Sequence, residues 1–225
     1  MNQKYKPQRN DLWNDEEFIN RDLNDQKRIS QFKIDEKFLK AHVAKGRLCD
    51  VGCSTGEFIK YINWNGDCYG IEINDYARKK ASEFISFEND IFTEEDFFDV
   101  VIFRGTIQHV DEPFRFMKMT YKSLKKGGYV IFLATPNSDS ILYKIKNNLP
   151  FLDWRTNFYI PGKKDLCNAL CNFGFEIINI EYPYLKTPYA SLFSDHFKFI
   201  LNCFSKKFYK HAFWKSSINL AAKKI

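Results

Sequence analysis

The residues best suited to chemistry in this 225-residue chain are a few acids, two glycines and a histidine. Asp50 lies within a short apolar run, Leu48-Cys49-Asp50-Val51. A small-residue turn follows, Gly52-Cys53-Ser54-Thr55-Gly56, and then Phe58, Ile59 and Ile62 at helical spacing. A buried strand that runs through glycines into a helix lets the backbone come close to a ligand and offers it the unpaired N–H groups of the helix start. A dinucleotide fingerprint starting at Gly52 requires glycine at positions 54 and 57, where Ser54 and Glu57 stand, and no Lys-Ser or Lys-Thr follows Gly56, so a P-loop fails as well. What remains is D-x-G-x-x-x-G. An acid beside such a turn disfavours a pyrophosphate and suits a ligand with a cationic end.

Glu72 lies 22 residues beyond Asp50, at the end of a second strand pattern, DCYGIEIN. An acid there can accept both hydroxyls of a ribose; the plainer alternative is a carboxylate capping the helix that follows. Gln108 and His109 come just after FDVVIFR, a fully apolar run of the kind found in central parallel strands. Active sites of open parallel sheets gather at that strand end. A histidine titrates near neutrality, so His109 is a candidate base for a hydroxyl acceptor. Its structural alternative is a ring bonded to loop backbone that shapes the pocket. Gln108 is a candidate for orienting the acceptor or an adenosine.

These residues need a frame that brings strand ends together. Strand patterns occur around residues 48–51, over Asp67–Asn74, Ile85–Ile91, Phe98–Arg104, Tyr129–Ala134 and Phe175–Tyr182, and in Phe213–Ala222. Helix patterns fall between them: Ile29–Val43 with Gly46 as terminator, Asp75–Phe84, a helix opened by Asp111-Glu112-Pro113 and closed by Lys125-Lys126-Gly127, and Lys164–Phe173. The alternation predicts an α/β fold, Rossmann-like and doubly wound, with a mostly parallel seven-stranded sheet. Residues 1–30 read as an N-terminal helical arm and 31–225 as one domain. Within that domain, 138–164 is a roof over the pocket and 186–212 a basic, aromatic insert.

A hydrophobic fraction of 44% and 17% aromatic residues fit a packed core and exclude a disordered chain. The N-terminus lacks the apolar core of a signal peptide, no apolar run reaches the length of a membrane span, and the six cysteines form no C-x-x-C pair. Those features predict a reducing, cytoplasmic setting without disulfides or zinc. The net charge is +6, yet from Lys186 onward there are eight lysines and one acid, Asp195, so the rest of the chain is close to neutral. The basic tail fits a phosphate-bearing or otherwise acidic partner; the plainer alternative is a solvated lysine face that only aids solubility.

Within that tail Phe193, Phe197, Ile200, Phe204 and Phe208 recur at spacings that form one helical stripe. The plainest account packs these side chains on the sheet. A second makes the segment a lid whose lysines meet a phosphorylated acceptor, and a third an interfacial helix on anionic lipid at the inner face of the membrane.

Taken in order, DVGCSTG, the acid of GIEIN, FEND, FDVVIFRGTIQHVDEP and LKKGGYVIFLATPN resemble the class I S-adenosylmethionine-dependent methyltransferases. The likeness covers about residues 30–185 and the final strand, and within the class it lies near ubiquinone-type O-methyltransferases and cell-surface-sugar methyltransferases. It implies an antiparallel last strand and S-adenosyl-L-methionine as cofactor. The implied cofactor contacts are Asp50, Gly52, Cys53, Ser54, Gly56 and Phe58 in the first motif, Glu72 and Ile73 in the second, and Asp90, Ile91 and Arg104 further on. Asp90 stands where a carboxylate accepts from the adenine amino group; the alternative there is an Asx turn. The acceptor would meet Gln108, His109 and Asn157. Ser54 replaces the middle glycine of the class motif. Ubiquinone-type enzymes carry carboxylates for a divalent metal just before the QHVDEP-like run; Arg104 to Gln108 here include no acid, and no metal is expected. The activity implied is O-methylation of a sugar, sugar nucleotide or related polysaccharide precursor. The alternatives are a quinone-type or other small-metabolite enzyme, an RNA methyltransferase, or a non-catalytic binding protein. No nucleic-acid module accompanies the domain.

Overall fold

A computed structural model describes residues 26–87, 94–153 and 156–225. Its frame is a six-stranded sheet in the order β2-β1-β3-β4-β6-β5. The strands are β1 (Leu48–Val51), β2 (Cys68–Ile71), β3 (Phe98–Arg104), β4 (Leu124–Pro136), β5 (Phe175–Glu181) and β6 (Ser217–Lys224). β1 pairs in parallel with β2 and β3, and β3 with β4, while β6 runs antiparallel between β4 and β5. The helices are α1 (Gln26–Lys40), α2 (Glu57–Ile62), α3 (Asp75–Ala81), α4 (Pro113–Ser123), α5 (Ile141–Lys146), α6 (Lys163–Asn172) and α7 (Leu192–Phe204).

Side chains of the central strands alternate between two buried faces, as the period-2 geometry of a strand requires. Val101, Phe103, Val130 and Phe132 pack with Met117 of α4 and Leu166 and Leu170 of α6. Val100, Ile102, Ile131 and Leu133 pack on the other side with Phe32 and Leu39 of α1 and Phe58 and Ile59 of α2. Helices on both faces explain why β3 and β4 read as unbroken apolar runs.

Of the expected seven strands, six are present among the described residues. The strand expected over Ile85–Ile91 is reduced, among the described residues, to one parallel bridge between Tyr69 and Ser86. Ser86 donates to the Cys68 carbonyl at 2.8 Å and accepts from Gly70 N–H at 3.0 Å, and its remaining residues 88–91 lie outside the described residues. Two helix-end expectations also change. Lys125, Lys126 and Gly127 do not end α4 but belong to β4, because Leu124 already pairs with Phe98 across a register shift. The α4 N-cap, Glu112, makes no capping bond; its carboxylate pairs with Arg115 at 2.8 Å instead. Of the arm expected over 1–30, residues 26–30 open α1 and the rest lies outside the described residues.

No helix among the described residues is long and apolar enough to cross a membrane. The expectation that the tail phenylalanines pack on the sheet is overturned. In α7 the stripe Phe193, Phe197, Ile200 and Phe204 faces outward, and the buried positions are Asp195 and Asn202. Phe208 lies beyond the helix and packs against a small cluster built on Leu142 and Leu149.

Candidate functional site

At the carboxyl ends of β1, β2 and β3 the fold leaves a cavity of about 510 Å³, a size typical of small-ligand sites. The turn after β1 forms its base. Gly52 donates to the Ile71 carbonyl at 2.7 Å and takes φ 77°, and a Cβ placed there would lie 2.4 Å from Thr106 Cγ2. Only a residue without a side chain fits between that threonine and the cavity. Ser54 follows with φ 52°. It thus holds the left-handed backbone ordinarily left to glycine, and the turn keeps its shape although the middle glycine is missing.

Glu72 fastens this turn to the end of β2. Ser54 N–H donates to Oε2 at 2.9 Å and Asn74 N–H to Oε1 at 2.8 Å. The cap of α3 is Asn74, whose Oδ1 accepts from Ala77 N–H at 2.7 Å, so Glu72 is not a helix cap. A carboxylate has about four lone-pair sites; both Glu72 oxygens therefore retain acceptor capacity toward the cavity.

Asp50 is 3% exposed, and its Oδ1 has no hydrogen-bond partner. Burial pushes its carboxyl up to about 7; the Arg104 guanidinium pulls it back and the Glu72 carboxylate adds to the rise. A buried carboxylate oxygen without a donor is costly, and a cation or donor entering the cavity would relieve it.

Arg104, at the end of β3, lines the cavity, but its guanidinium turns toward α1. Nε donates to Asp35 Oδ2 at 2.9 Å, and Cζ lies 4.4 Å and 5.1 Å from the Phe32 and Phe58 ring centres. Gln31 donates to the second Asp35 oxygen at 2.9 Å. Burial still raises the Asp35 carboxyl above its ordinary value, with Arg104 opposing.

Past β3 the chain makes a single 3-10 turn, Ile107–His109. His109 Nδ1 lies 3.0 Å from the Thr156 carbonyl, which can only accept, so the ring carries its proton on Nδ1. Nε2 then accepts from Gln108 Nε2 at 3.2 Å. Burial lowers the His109 pKa despite the Thr156 bond and Asp153 nearby, which favours the neutral ring. The backbone bond is the feature expected of a pocket-shaping histidine; the Nε2 lone pair is the feature required of a base.

Of the residues singled out from the sequence, Asp50, Gly52, Cys53, Ser54, Phe58, Glu72, Ile73, Arg104 and His109 line the cavity. Gly56, Gln108 and Asn157 do not. Gly56 packs under the turn, where a Cβ would meet Phe84 at 2.6 Å. Gln108 divides its side-chain NH2 between the Gly105 carbonyl, at 2.7 Å, and His109; its backbone carbonyl accepts from Phe158 N–H at 2.9 Å, and its Oε1 is buried without a partner. Asn157 is buried in the roof, accepting from Asp153 N–H at 3.1 Å. Asp90 and Ile91 lie outside the described residues. Arg28, Thr106, Phe116 and Phe158 also line the cavity and carried no sequence signal as isolated residues; Phe158 alone had a hint, as the neighbour of Asn157.

Over 51% of its length the chain is 26% identical to an uncharacterized protein of Methanocaldococcus jannaschii, and the match spans 56% of that protein. Among solved structures, a SAM-dependent methyltransferase from Archaeoglobus fulgidus superposes with a TM-score of 0.63 at 18% identity, covering 93% of this chain and 100% of that one. A Thermotoga maritima SAM-dependent methyltransferase, a possible histamine N-methyltransferase, gives 0.60 at 18%, covering 91% and 97%. The [4+2]-cyclase SpnF gives 0.59 at 18%, covering 86% and 81%. These likenesses establish the shared fold, and SpnF illustrates that one fold hosts different reactions. The bare turn at Gly52, the unpartnered Asp50 oxygen and the Glu72 carboxylate suit a ligand with a cationic end and a ribose. Residues 24–180 match the family described as Methyltransferase domain, more than half of the chain, and the protein belongs to that family, with S-adenosyl-L-methionine as its cofactor.

Proposed function

We propose that the protein is an S-adenosylmethionine-dependent methyltransferase that methylates a hydroxyl oxygen of a small polar acceptor, a sugar, sugar nucleotide or related polysaccharide precursor. The observation that carries the transfer reading is the buried, unpartnered Asp50 oxygen in a cleft walled by Glu72 and the Gly52 turn. When bound, S-adenosylmethionine supplies an electrophilic methyl group on a cationic sulfur.

In this reading Asp50 faces the cationic end of the cofactor and Glu72 accepts from the ribose hydroxyls. Ile73, 76% exposed at the cavity rim, packs on the adenine, with Asp90 and Ile91 completing that contact. Backbone of Gly52, Cys53 and Ser54 borders the amino-acid portion, supported by Gly56 beneath and by Phe58 and Arg104 beside it. His109 takes the acceptor's hydroxyl proton on Nε2 as the new bond to oxygen forms. The Thr156 carbonyl keeps the other ring proton on Nδ1. Gln108 holds the ring until the acceptor displaces its N–H from Nε2, and Asn157 fixes the roof above. The rest of the rate enhancement comes from positioning and from excluding water.

A quinone-type or other small-metabolite acceptor is the competing reading, and the aromatic rings of Phe116 and Phe158 on the cavity wall favour it. Labelled methyl transfer tests both. The purified chain is incubated with methyl-labelled S-adenosylmethionine and nucleotide sugars, quinone precursors, small amines or RNA. Label on a sugar hydroxyl is the expected result. Label on a quinone precursor or amine would replace the acceptor assignment, and tight S-adenosylhomocysteine binding with no transfer to any acceptor class, cell extract included, would reject the enzyme reading.

A further inference from the structure

Helix α7 is built inside out. Its buried face is polar: Asp195 is 2% exposed and Asn202 1%. Asp195 Oδ2 accepts from Tyr184 Oη at 2.9 Å and from Ser191 N–H at 2.7 Å. Asn202 exchanges two bonds with the Tyr209 backbone, at 2.9 Å and 3.0 Å. An apolar contact completes the seat: Phe199 stacks on Phe213 with ring centres 4.1 Å apart and packs against the cluster built on Leu142 and Leu149, and His196 meets Phe213 edge-on. The outward face carries Phe193 and Phe204, each 89% exposed, with Phe197 at 63% and Ile200 at 56% between them. Monomeric proteins rarely leave such a row of large apolar side chains in water, and a helix with one strong apolar face needs something apolar to cover it.

The charge around this face selects the occupant. The segment from Lys186 to the C-terminus has eight lysines, and its one acid, Asp195, is the residue turned inward. Lys206, Lys207 and Lys210 follow the helix directly and are exposed. A second copy docked on the same face would meet these lysines with no exposed acid from its own segment, whose one acid is buried. An anionic lipid surface instead receives phenylalanines below its headgroups and lysines among its phosphates. At 13 residues α7 is about 20 Å long, suited to lying along an interface.

We infer that α7 is an interfacial helix that docks the protein on anionic lipid, with Phe193, Phe197, Ile200 and Phe204 inserted and the following lysines paired with headgroup phosphates. α5, which packs on α7, follows β4, whose carboxyl end shares the sheet edge with the cofactor cleft. Docking would therefore hold that edge near the lipid surface. The inference does not depend on which acceptor is methylated.

The test uses the full chain and vesicles of phosphatidylcholine alone or mixed with phosphatidylglycerol. Sedimentation with the anionic vesicles at low salt and reduced sedimentation at high salt are expected. The triple variant Phe193→Ser, Phe197→Ser, Phe204→Ser should lower partitioning by about tenfold or more, and Lys206→Gln, Lys207→Gln, Lys210→Gln should remove the salt-sensitive part. Both variants should retain S-adenosylhomocysteine binding, which shows that the domain is folded. Absence of sedimentation with anionic vesicles at low salt would overturn the inference. So would partitioning that the phenylalanine variant leaves unchanged, or a dimer in solution that the same variant dissociates.

Discussion

Arg104 and Asp35 stand 69 residues apart in the chain and meet at 2.9 Å, with the Asp35 side chain fully buried and that of Arg104 17% exposed. The pair latches α1 to the carboxyl end of β3 and holds the Arg104 charge near Asp50, whose ionisation it favours. A structural bond on one side of the arginine thus sets the electrostatics of the cofactor cleft on the other. Removing one partner of a buried pair costs about 3–5 kcal/mol, because the remaining charge loses its compensation. For Asp35→Ala the lower end is expected, since Arg104 reaches water through the cavity. Urea unfolding should show a loss of about 3 kcal/mol, and S-adenosylhomocysteine should bind more weakly. A loss below about 0.5 kcal/mol, the range of an ordinary surface substitution, would mean that α1 is not latched this way.

Asp50 makes cofactor binding pH-dependent. Burial raises its carboxyl to about 7, and a cation beside it favours the ionised form. Binding therefore releases a proton below that pH and tightens as pH rises. Between pH 6 and pH 8 the ionised fraction climbs about tenfold, and the affinity for S-adenosylhomocysteine, through its ammonium group, should climb with it. The same shift acts on stability with a defined sign. The folded value lies above the unfolded one, so Asp50's contribution is fully present below about pH 4 and is lost as pH rises to about 7. Calorimetry in two buffers of different ionisation enthalpy counts the released proton, and Asp50→Asn should abolish both the release and the slope. A pH-independent affinity in the native chain would remove Asp50 from the cation's vicinity.

His109 should appear in a different kinetic parameter. Burial lowers its pKa against the opposing Thr156 bond, so a base at this position is already neutral at pH 7. The acid limb of kcat should fall below the ordinary histidine value of 6.5, whereas the Asp50 limb should appear in kcat/KM, through cofactor capture. His109→Gln should reduce kcat by about 10²–10⁴-fold with S-adenosylhomocysteine affinity intact. Unchanged turnover would leave His109 with only its tether to the roof.

Residues that act through their own strand were legible in the sequence. Asp50, Gly52 and Glu72 lie in or just after apolar runs at strand ends, and the unbroken apolar run of β3 marked it as a central parallel strand. The pairing that matters most, Asp35 with Arg104, was not. A lone acid in a charged helix pattern reads as solvent-facing, and its partner is fixed only by the crossover that lays α1 over β3. The same holds for α7. The 3.6-residue stripe is helical from Phe193 to Phe204, short of Phe208, but amphipathicity alone places the apolar face inward. Tyr184, Ser191 and Tyr209 supply partners that make the polar face the buried one. In the sequence Gln108 reads as orienting the acceptor or an adenosine, and Asn157 as meeting the acceptor through the resemblance of the roof; the sequence does not show that Gln108 also bonds the Gly105 carbonyl and Asn157 the Asp153 N–H. Of the expected third strand only Ile85–Phe87 is described, and it makes one parallel bridge, at Ser86.

The Gly52 turn separates two reasons for a glycine. The sequence suggests that the ligand demands the bare backbone; the structure adds that Thr106 Cγ2 lies 2.4 Å from where a Cβ would sit. Gly52→Ala should therefore cost about 1–2 kcal/mol for the left-handed backbone, a further amount for the threonine clash, and most of the cofactor affinity. Thr106→Ala alone should change stability little. The double variant should recover the clash part of the stability loss, a coupling that a double-mutant cycle in urea reads directly. Its affinity for S-adenosylhomocysteine should stay low, because the alanine methyl still borders the cleft. Recovery of affinity together with stability would show that Thr106, rather than the cofactor, is what requires glycine at this position.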